Sequence, residues 1–480
     1  MASSFFWYDL ETSGVSPRDS RIMQFAGQRT DIDLNIIGDP VNVLVRLSDD
    51  ILPDPDAILL TGITPQKTLS EGITEVEFLK LFHKEVAIPG TIFIGFNSIR
   101  FDDEFMRYLN YRNFYDAYQW QWKDDRSRWD LLDVVRMTRA LRPAGIKWPF
   151  DSSGKPTNRL ELLTSVNKLD HSDAHDALSD VYACIEVARL IKDKQPKLFN
   201  YLLAMRDKKK VSDLVGTQLP FVYTTGKYSS QFEKTSVAVQ LAPHTKRAAS
   251  LVYDLRHDPT PFLSLTVAEL VSRWKWTKDE KAPARLPVKT LRHNVCPAVA
   301  PLSVLDDESC DRLEIDMVKV ETHHKLLQDN PQFTDKVLQA LELLDKQQQT
   351  SAFSDQLDVD GQLYDGFFDS GDAQNLTLVQ HAKPNELTNL IQKFHDSRLQ
   401  QLLPLYKARN FPKELTDEER MAWEKFRQHK LMDGGEKSRL ARFASRMQQL
   451  ASTSQGQDKR YILEELQLYA ESIIPIDVDA

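Results

Sequence analysis

Cysteine is scarce in this sequence, with three residues, Cys184, Cys296 and Cys310, among 480. No two of them have the spacing of a zinc-binding pair, so the sequence argues against a structural zinc site and favours a reducing, cytoplasmic location. Long apolar runs are also missing. No stretch of about 20 apolar residues occurs, so no membrane span is expected. The first residues lack the basic flank and apolar run of a signal peptide.

Basic residues are also fewer than acidic residues. Lys and Arg total 61 against 70 Asp and Glu, which gives a net charge of −9. An acidic chain is a poor general binder of nucleic acid, because phosphate contact needs a positive surface. The field in a groove is local, however, and basic clusters occur at 206–210 and 437–446. Each cluster alone is more typical of a solvated face than of a binding site.

The length predicts more than one domain. Residues 1–195 have the pattern of an α/β domain, a mixed sheet covered by helices. Its predicted strands are Phe5–Tyr8, Ile22–Thr30, Val41–Arg46 and Thr91–Phe96. Its predicted helices are Glu75–Val86, Asp102–Asn110, Asp130–Leu141, Arg159–Val166 and His175–Ile191.

The remaining residues contain two further segments that differ in their predicted secondary structure. Residues 196–347 contain short strand-like pieces between turn residues, which predict a small barrel with some helices: Leu219–Tyr223, Ser236–Leu241, Ser250–Leu255 and Pro287–Lys289. The polar segment Ala340–Asp360 indicates a linker. Residues 350–480 predict an all-α domain with helices at Glu386–Tyr406, Thr416–Lys430, Lys437–Ala451 and Gln457–Ile473.

Two acids end the first predicted strand, Asp9 and Glu11. Residues two apart in a strand point to the same face, so these carboxylates repel unless a cation lies between them. Oxygen ligands favour Mg²⁺ or Mn²⁺ over zinc. Taken alone, the pair is equally typical of an ordinary acidic strand end.

A third acid follows the predicted strand at Thr91–Phe96. Asp102, Asp103 and Glu104 open a helix, which is the usual preference for acids near a helix N-terminus. Asp103 is placed to pair with Arg107 four residues later. Asp102 is therefore the better candidate metal ligand.

The last motif is HDALSD at 175–180. A five-residue spacing does not stack two side chains on one helix face. The motif works if His175 lies at the helix entry while Asp180, inside the helix, binds metal. A surface helix start with an unrelated histidine is the alternative.

Together, these acids and the histidine form the DEDDh exonuclease pattern. It predicts hydrolysis by two Mg²⁺ ions, with Mn²⁺ as a substitute, and 5′-mononucleotide products. An unperturbed imidazole titrates near neutral pH, so His175 is the candidate general base.

Beyond this pattern the chain resembles bacterial exonuclease I over nearly its whole length. The matching stretches are YRNFYD (111–116), SRWDLLD (127–133), LYDGFF (363–368) and ARNFP (408–412). The resemblance implies a ribonuclease H-like α/β nuclease domain, an SH3-like β-barrel and a C-terminal all-α domain around a groove for single-stranded DNA. It also implies processive 3′-to-5′ digestion in DNA repair and recombination.

The same resemblance implies roles for individual residues. Asp9, Glu11, Asp102 and Asp180 match metal ligands, and His175 matches the base. Glu11 and Arg159 match positions that touch the substrate. Positions along the DNA path are matched by Arg107, Tyr118, Trp122, Arg136 and Lys208. Cations suit phosphates and rings stack on bases, although core packing is an equal alternative for Tyr118 and Trp122. Asn158 departs from the family, where an aromatic residue is expected.

Family members also bind the acidic C-terminal tail of single-stranded DNA-binding protein, and Arg142 and Tyr201 are the candidate contacts here. We expect a monomer with no membrane partner. Two competing interpretations stay open: a related DEDDh nuclease that acts on RNA or on extended primers, and a binding module without catalysis. The whole-length resemblance argues against the first, and the complete set of catalytic residues argues against the second.

Overall fold

The computed structural model describes residues 3–170, 176–279, 281–352, 358–453 and 456–475. The chain forms two compact units. The first comprises Met1–Ser127, His171–Tyr182 and Leu357–Ala480, and the second comprises Arg128–Asp170 and Ala183–Gln356. These units cut across the sequence-based ranges 1–195, 196–347 and 350–480, because the N- and C-terminal sections fall into the same unit.

Within the described ranges, ten strands form two sheets. The first sheet contains β1 (Ser4–Thr12), β2 (Ile22–Thr30), β3 (Ile36–Leu44), β4 (Thr91–Gly95) and β5 (Ser127–Asp130), in the order β3-β2-β1-β4-β5. Strand β1 is antiparallel to β2 and parallel to β4, so the sheet is mixed, as predicted. The second sheet contains β6 (Phe221–Thr224), β7 (Thr235–Pro243), β8 (Ala249–Asp254), β9 (Val288–Arg292) and β10 (Ala298–Pro301).

Helices account for most of the remaining described structure. In chain order they are α1 (Pro55–Thr61), α2 (Pro65–Glu71), α3 (Glu75–Leu81), α4 (Asp102–Arg112), α5 (Leu131–Leu141), α6 (Leu160–Asn167), α7 (Ala177–Lys194), α8 (Pro196–Ala204), α9 (Lys208–Val215), α10 (Thr260–Leu263), α11 (Val267–Trp274), α12 (Asp307–Leu313), α13 (Met317–Gln328), α14 (Pro331–Ala352), α15 (Ser370–His381), α16 (Ser397–Asn410), α17 (Asp417–Met432), α18 (Arg439–Thr453) and α19 (Gln457–Ser472). None within the described ranges is long and apolar enough to cross a membrane.

An apolar core joins the N- and C-terminal sections inside the first unit. Tyr111 and Phe114 pack in one cluster with Leu399, Leu402 and Tyr406 of α16. The rings of Phe114 and Tyr406 lie 5.4 Å apart between centroids. The C-terminal helices therefore complete the core of the nuclease section.

Buried ion pairs reinforce this junction. Arg409 donates to Asp50 and to Asp360, both at 2.7 Å, and Lys430 donates to Asp50 at 2.6 Å. Burial alone would raise the pKa of the Asp360 carboxyl, but Arg409, Arg21 and Lys430 hold it well below its usual range. Such a network is sensitive to the loss of any one partner, because a buried charge would be left unpaired.

The second sheet is antiparallel throughout, in the order β10-β6-β7-β8-β9. Four of its strands lie at the predicted places. Strand β10 was not predicted, since Ala298–Pro301 is short and carries no alternation of apolar and polar residues.

The linker predicted from Ala340 is wrong through Ala352, because α14 continues to that residue. Phe333, Val337 and Ala340 recur at helical spacing and are buried in the core beneath β7 and β8. Apolar residues on one face hold the helix despite the polar residues that follow. Residues 353–357 of the predicted linker lie outside the described residues.

Candidate active site

Three of the four predicted metal ligands converge in the first unit. Asp9 and Glu11 extend from the same face of β1, and Asp180 lies in the first turn of α7. A carboxylate oxygen from each of the three lies within 4.8 Å of those of the other two. All three side chains are partly buried. Strand β1 and helix α7 therefore bring together Glu11 and Asp180, which are 169 residues apart in the chain.

Their mutual repulsion is strong. Burial, followed by the charges of Asp102 and Glu11, raises the pKa of Asp9 well above its ordinary value. Burial, then Asp180 and Asp176, raises the pKa of Glu11 to about 8. A divalent cation bound by these oxygens would relieve the repulsion. An all-oxygen donor set of carboxylates is the set that Mg²⁺ and Mn²⁺ prefer, so the residues fit the predicted metal.

Asp102, the fourth predicted ligand, is the first residue of α4 and is buried. Its charge is the largest electrostatic contribution to the raised pKa of Asp9. The structure thus brings Asp102 close to the other acids.

The predicted interaction of Asp103 with Arg107 is electrostatic in the structure. Although burial lowers the pKa of Arg107, the charges of Glu104 and then Asp103 raise it above its ordinary value. Arg107 also forms an ion pair with Glu104 and donates to Gln121 at 3.0 Å. Asp103 is buried and accepts a hydrogen bond from the Tyr8 hydroxyl, a contact across 95 residues that the local i, i+4 spacing did not predict.

His175 lies outside the described residues, so its role as the base stays a prediction. Its neighbour Asp176 is described and was not singled out from the sequence. Asp176 accepts hydrogen bonds from the backbone N–H of Ser179 at 3.1 Å and from the Gln24 side chain at 3.2 Å. Its charge also raises the pKa of Asp9 and Glu11. The sequence feature that could have identified Asp176 is its position next to His175 in the motif HDALSD.

A second group with metal-ligand spacing contains Asp369, Asp372 and His395. Here the acids already have local partners. Asp372 accepts from the backbone N–H groups of His395 and Asp396 at 2.9 and 2.8 Å, and Asp369 accepts from the backbone N–H of Asp372. This group caps α15 and ties it to the following loop.

The predicted DNA-path residues of the first unit differ in exposure. Trp122 is 62% exposed, which suits stacking on a base. Tyr118 is partly buried against the core and lies under the Arg107 guanidinium, 5.7 Å from the ring centroid. The Tyr118 ring therefore packs against the core and Arg107 is engaged by Glu104, while the place of both on a DNA path stays a prediction.

The second unit carries the other predicted DNA contacts. Lys208 is exposed at the start of α9. Arg159 is exposed and donates to Glu161 at 2.5 Å. Arg136 is mostly buried and donates to Asp133 at 2.6 Å. Lys208 and Arg159 are thus accessible to a ligand as they stand, whereas Arg136 would first have to leave Asp133.

The two candidates for a protein partner also lie in the second unit. Arg142 donates to the Val304 carbonyl at 2.8 Å and lies 3.4 Å from Asp306. Tyr201 packs against the apolar cluster that contains Met205 and Val211, and burial raises its pKa to about 12. Their partner role stays a prediction.

Family models match three consecutive parts of the chain. Residues 6–188 match an exonuclease model, residues 206–342 match the exonuclease I SH3-like domain, and residues 357–473 match the exonuclease I C-terminal domain. Exodeoxyribonuclease I of Escherichia coli strain K12 is 39% identical over 477 residues, which are 98% of each chain.

The chain belongs to the exonuclease I family. It is therefore an exodeoxyribonuclease, with an α/β nuclease domain, an SH3-like domain and a C-terminal helical domain. Among solved structures, E. coli exonuclease I in complex with a dA16 oligonucleotide matches at 38% identity and a TM-score of 0.91, covering 98% of this chain and all of that one. An SSB/exonuclease I structure with the inhibitor CFAM matches at 38% identity and a TM-score of 0.87, with the same coverage.

Proposed function

We propose that this chain digests single-stranded DNA from its 3′ end and releases 5′-mononucleotides. The convergence of Asp9, Glu11 and Asp180 carries the proposal, because carboxylates gathered in this way suit a divalent-metal phosphodiesterase. The E. coli relative bound to dA16 supports single-stranded DNA as the substrate.

Asp9, Glu11, Asp102 and Asp180 would hold two Mg²⁺ ions, with Mn²⁺ as a substitute. The bound ions would neutralise charge that develops on the scissile phosphate. The protein itself orients the acids from a rigid strand and two helix starts. His175 would accept the proton of the attacking water, since an imidazole titrates close to neutral pH.

Binding of the substrate would be largely independent of its base sequence. Trp122 offers an exposed ring for stacking, while Lys208 and Arg159 offer accessible cations for phosphates. We propose processive digestion in DNA repair and recombination by a monomer. The acidic C-terminal tail of single-stranded DNA-binding protein would contact Arg142 and Tyr201, a proposal that the related SSB/exonuclease I structure supports.

End-labelled oligonucleotides test the proposal. With Mg²⁺, a 5′-labelled strand should shorten stepwise, whereas a 3′-labelled strand should release labelled mononucleotide at once. EDTA and Asp9→Asn should each stop both reactions. A matched RNA and a blunt duplex should be cut far more slowly. Equal digestion of RNA would favour the RNA-nuclease alternative, and full activity of Asp9→Asn would refute the metal assignment.

A further inference from the structure

Gln24 lies on the active-site face of the sheet. In the β1–β2 ladder its Cα is directly opposite that of Glu11. Directly opposite residues of an antiparallel pair project to the same face, so the Gln24 side chain lies beside the acids. Only 6% of Gln24 is exposed. A neutral amide is therefore buried next to the candidate metal site.

The Gln24 amide joins the sheet to α7. Its Nε2 donates to Asn42 Oδ1 at 3.0 Å and to Asp176 Oδ1 at 3.2 Å. The other oxygen of Asp176 accepts from the backbone N–H of Ser179. The backbone N–H of Asp180 donates to the Asp176 carbonyl at 3.0 Å. Asp176 thus couples Gln24 to the helical turn that carries Asp180.

The orientation of the amide is fixed by its neighbours. The Asp176 carboxylate accepts hydrogen bonds only, so a flipped Gln24 amide would place oxygen against oxygen. In the adopted orientation, Oε1 of Gln24 is buried and has no hydrogen-bond partner among the described residues. An unpaired buried acceptor opposes folding. Stability alone therefore does not account for a glutamine here, whereas the need for a donor to Asp176 does.

Gln28, four residues along β2, makes a different set of contacts. Its Nε2 donates to the carbonyls of Arg29 and Ile37, where the ladder with β3 is irregular. Its Oε1 accepts a longer hydrogen bond, 3.3 Å, from the Tyr182 hydroxyl of α7. Tyr182 therefore provides a second contact between the same strand and the same helix that does not involve Asp176.

We propose that Gln24 is a positioning residue for the reaction. By holding Asp176, it sets the place of Asp180 relative to Asp9 and Glu11. The inference rests on the proposed nuclease function. It predicts that the amide influences metal affinity and the chemical step, with little influence on DNA binding.

Gln24→Met keeps the volume and removes the donor. It should lower the single-turnover rate at saturating single-stranded DNA and weaken Mn²⁺ binding without DNA, each by up to about 10–100-fold, the range typical of losing an outer-shell contact around a metal site. The dissociation constant for single-stranded DNA in EDTA should stay within about twofold, because phosphate and base contacts lie elsewhere. Tyr182→Phe should match wild type in all three measurements.

A reciprocal exchange separates positioning from simple loss of stability. Gln24→Glu places a carboxylate against Asp176 and should reduce the rate further than Gln24→Met. Combining Gln24→Glu with Asp176→Asn restores a donor–acceptor pair with its polarity reversed and keeps the net charge. The double variant should recover at least about tenfold of the rate lost by Gln24→Glu, because the contact around the metal site is restored.

A wild-type rate and wild-type Mn²⁺ affinity for Gln24→Met would overturn the inference. So would a double variant no faster than Gln24→Glu, or a loss in Gln24→Met that Tyr182→Phe reproduces. The wild-type reaction separates this outcome from failure of the proposed function. If wild type does not digest single-stranded DNA, the proposed function fails, while the Mn²⁺ measurement still tests Gln24.

Discussion

The Tyr8 hydroxyl donates a hydrogen bond to the Asp103 carboxylate, and these two residues are the chain neighbours of Asp9 and Asp102. Tyr8 is in β1 and Asp103 is in α4, so one buried contact fixes the strand against the helix start beside the candidate metal site. Of the two adjacent acids, Asp103 therefore binds Tyr8, whereas the charge of Asp102 acts on Asp9.

This arrangement assigns different effects to the two acids. Asp102→Asn should remove nearly all nuclease activity and leave the melting temperature near wild type, because it removes a charge from a repelling group. Asp103→Leu should retain activity but lower the free energy of unfolding by about 1–3 kcal/mol, since the Tyr8 hydroxyl loses its buried partner. Oligonucleotide digestion and urea unfolding measure the two effects. The reverse ranking of activities would show that Asp103 is the ligand.

Glu11 gives the metal-free protein a defined pH dependence. Its pKa is about 8 in the folded chain, against about 4.3 for an unperturbed glutamate. Between these values the folded carboxyl keeps a proton that the unfolded chain has lost, so stability falls as pH rises from about 4.5 to 8. In EDTA, Glu11→Gln should reduce this decline in melting temperature, whereas a substitution of the exposed Glu85 to Gln should not. Equal declines in Glu11→Gln and wild type would contradict the assignment.

Loss of a buried ion pair at the junction of the N- and C-terminal sections should lower the free energy of unfolding more than loss of an exposed pair. Asp50→Asn leaves Arg409 and Lys430 short of a negative partner and should destabilise the protein by about 3–5 kcal/mol. Asp56→Asn breaks the exposed bidentate pair with Arg446 and should have little effect on unfolding. Chemical denaturation of both variants compares the pairs directly, and similar shifts would mean that burial does not set their strength.

Trp122 and Tyr118 should separate DNA binding from packing. Trp122→Ala removes an exposed ring and should weaken single-stranded DNA binding by about 1–3 kcal/mol without changing the melting temperature. Tyr118→Ala should lower the melting temperature, because its ring packs against the core. Fluorescence anisotropy in EDTA measures the affinity without cleavage, and Trp122→Phe is the control that keeps a ring. Unchanged affinity in Trp122→Ala would remove this residue from the DNA path.

The parts of the site that depend on local pattern could be predicted. Alternation along β1 placed Asp9 and Glu11 on one face, and the helix start placed Asp102 among the acids. The contacts of Asp103 with Tyr8 and of Asp176 with Gln24 could not be found in this way, because these partners lie 95 and 152 residues away and no local spacing marks them.

In the fold, too, features with a local sequence pattern could be predicted and those that depend on distant contacts could not. Strands and helices with strong periodicity lie near their predicted places. The end of α14 does not, because the prediction relied on the polar composition of the segment and not on the buried apolar face of the helix. The union of the first and last sections in one compact unit was also beyond local patterns, since it depends on contacts such as Asp50 with Arg409 across 359 residues.

That long separation has a consequence for synthesis on the ribosome. At roughly 5–20 residues per second, Arg409 is translated about 20–70 s after Asp50. At the same rate, Ser397 at the start of α16 is translated about 15–60 s after Phe114, and during that time Tyr111 and Phe114 lack the α16 residues that cover them in the finished protein. The nascent nuclease section therefore presents uncovered aromatic surface for tens of seconds, the period in which chaperones would have the most to bind.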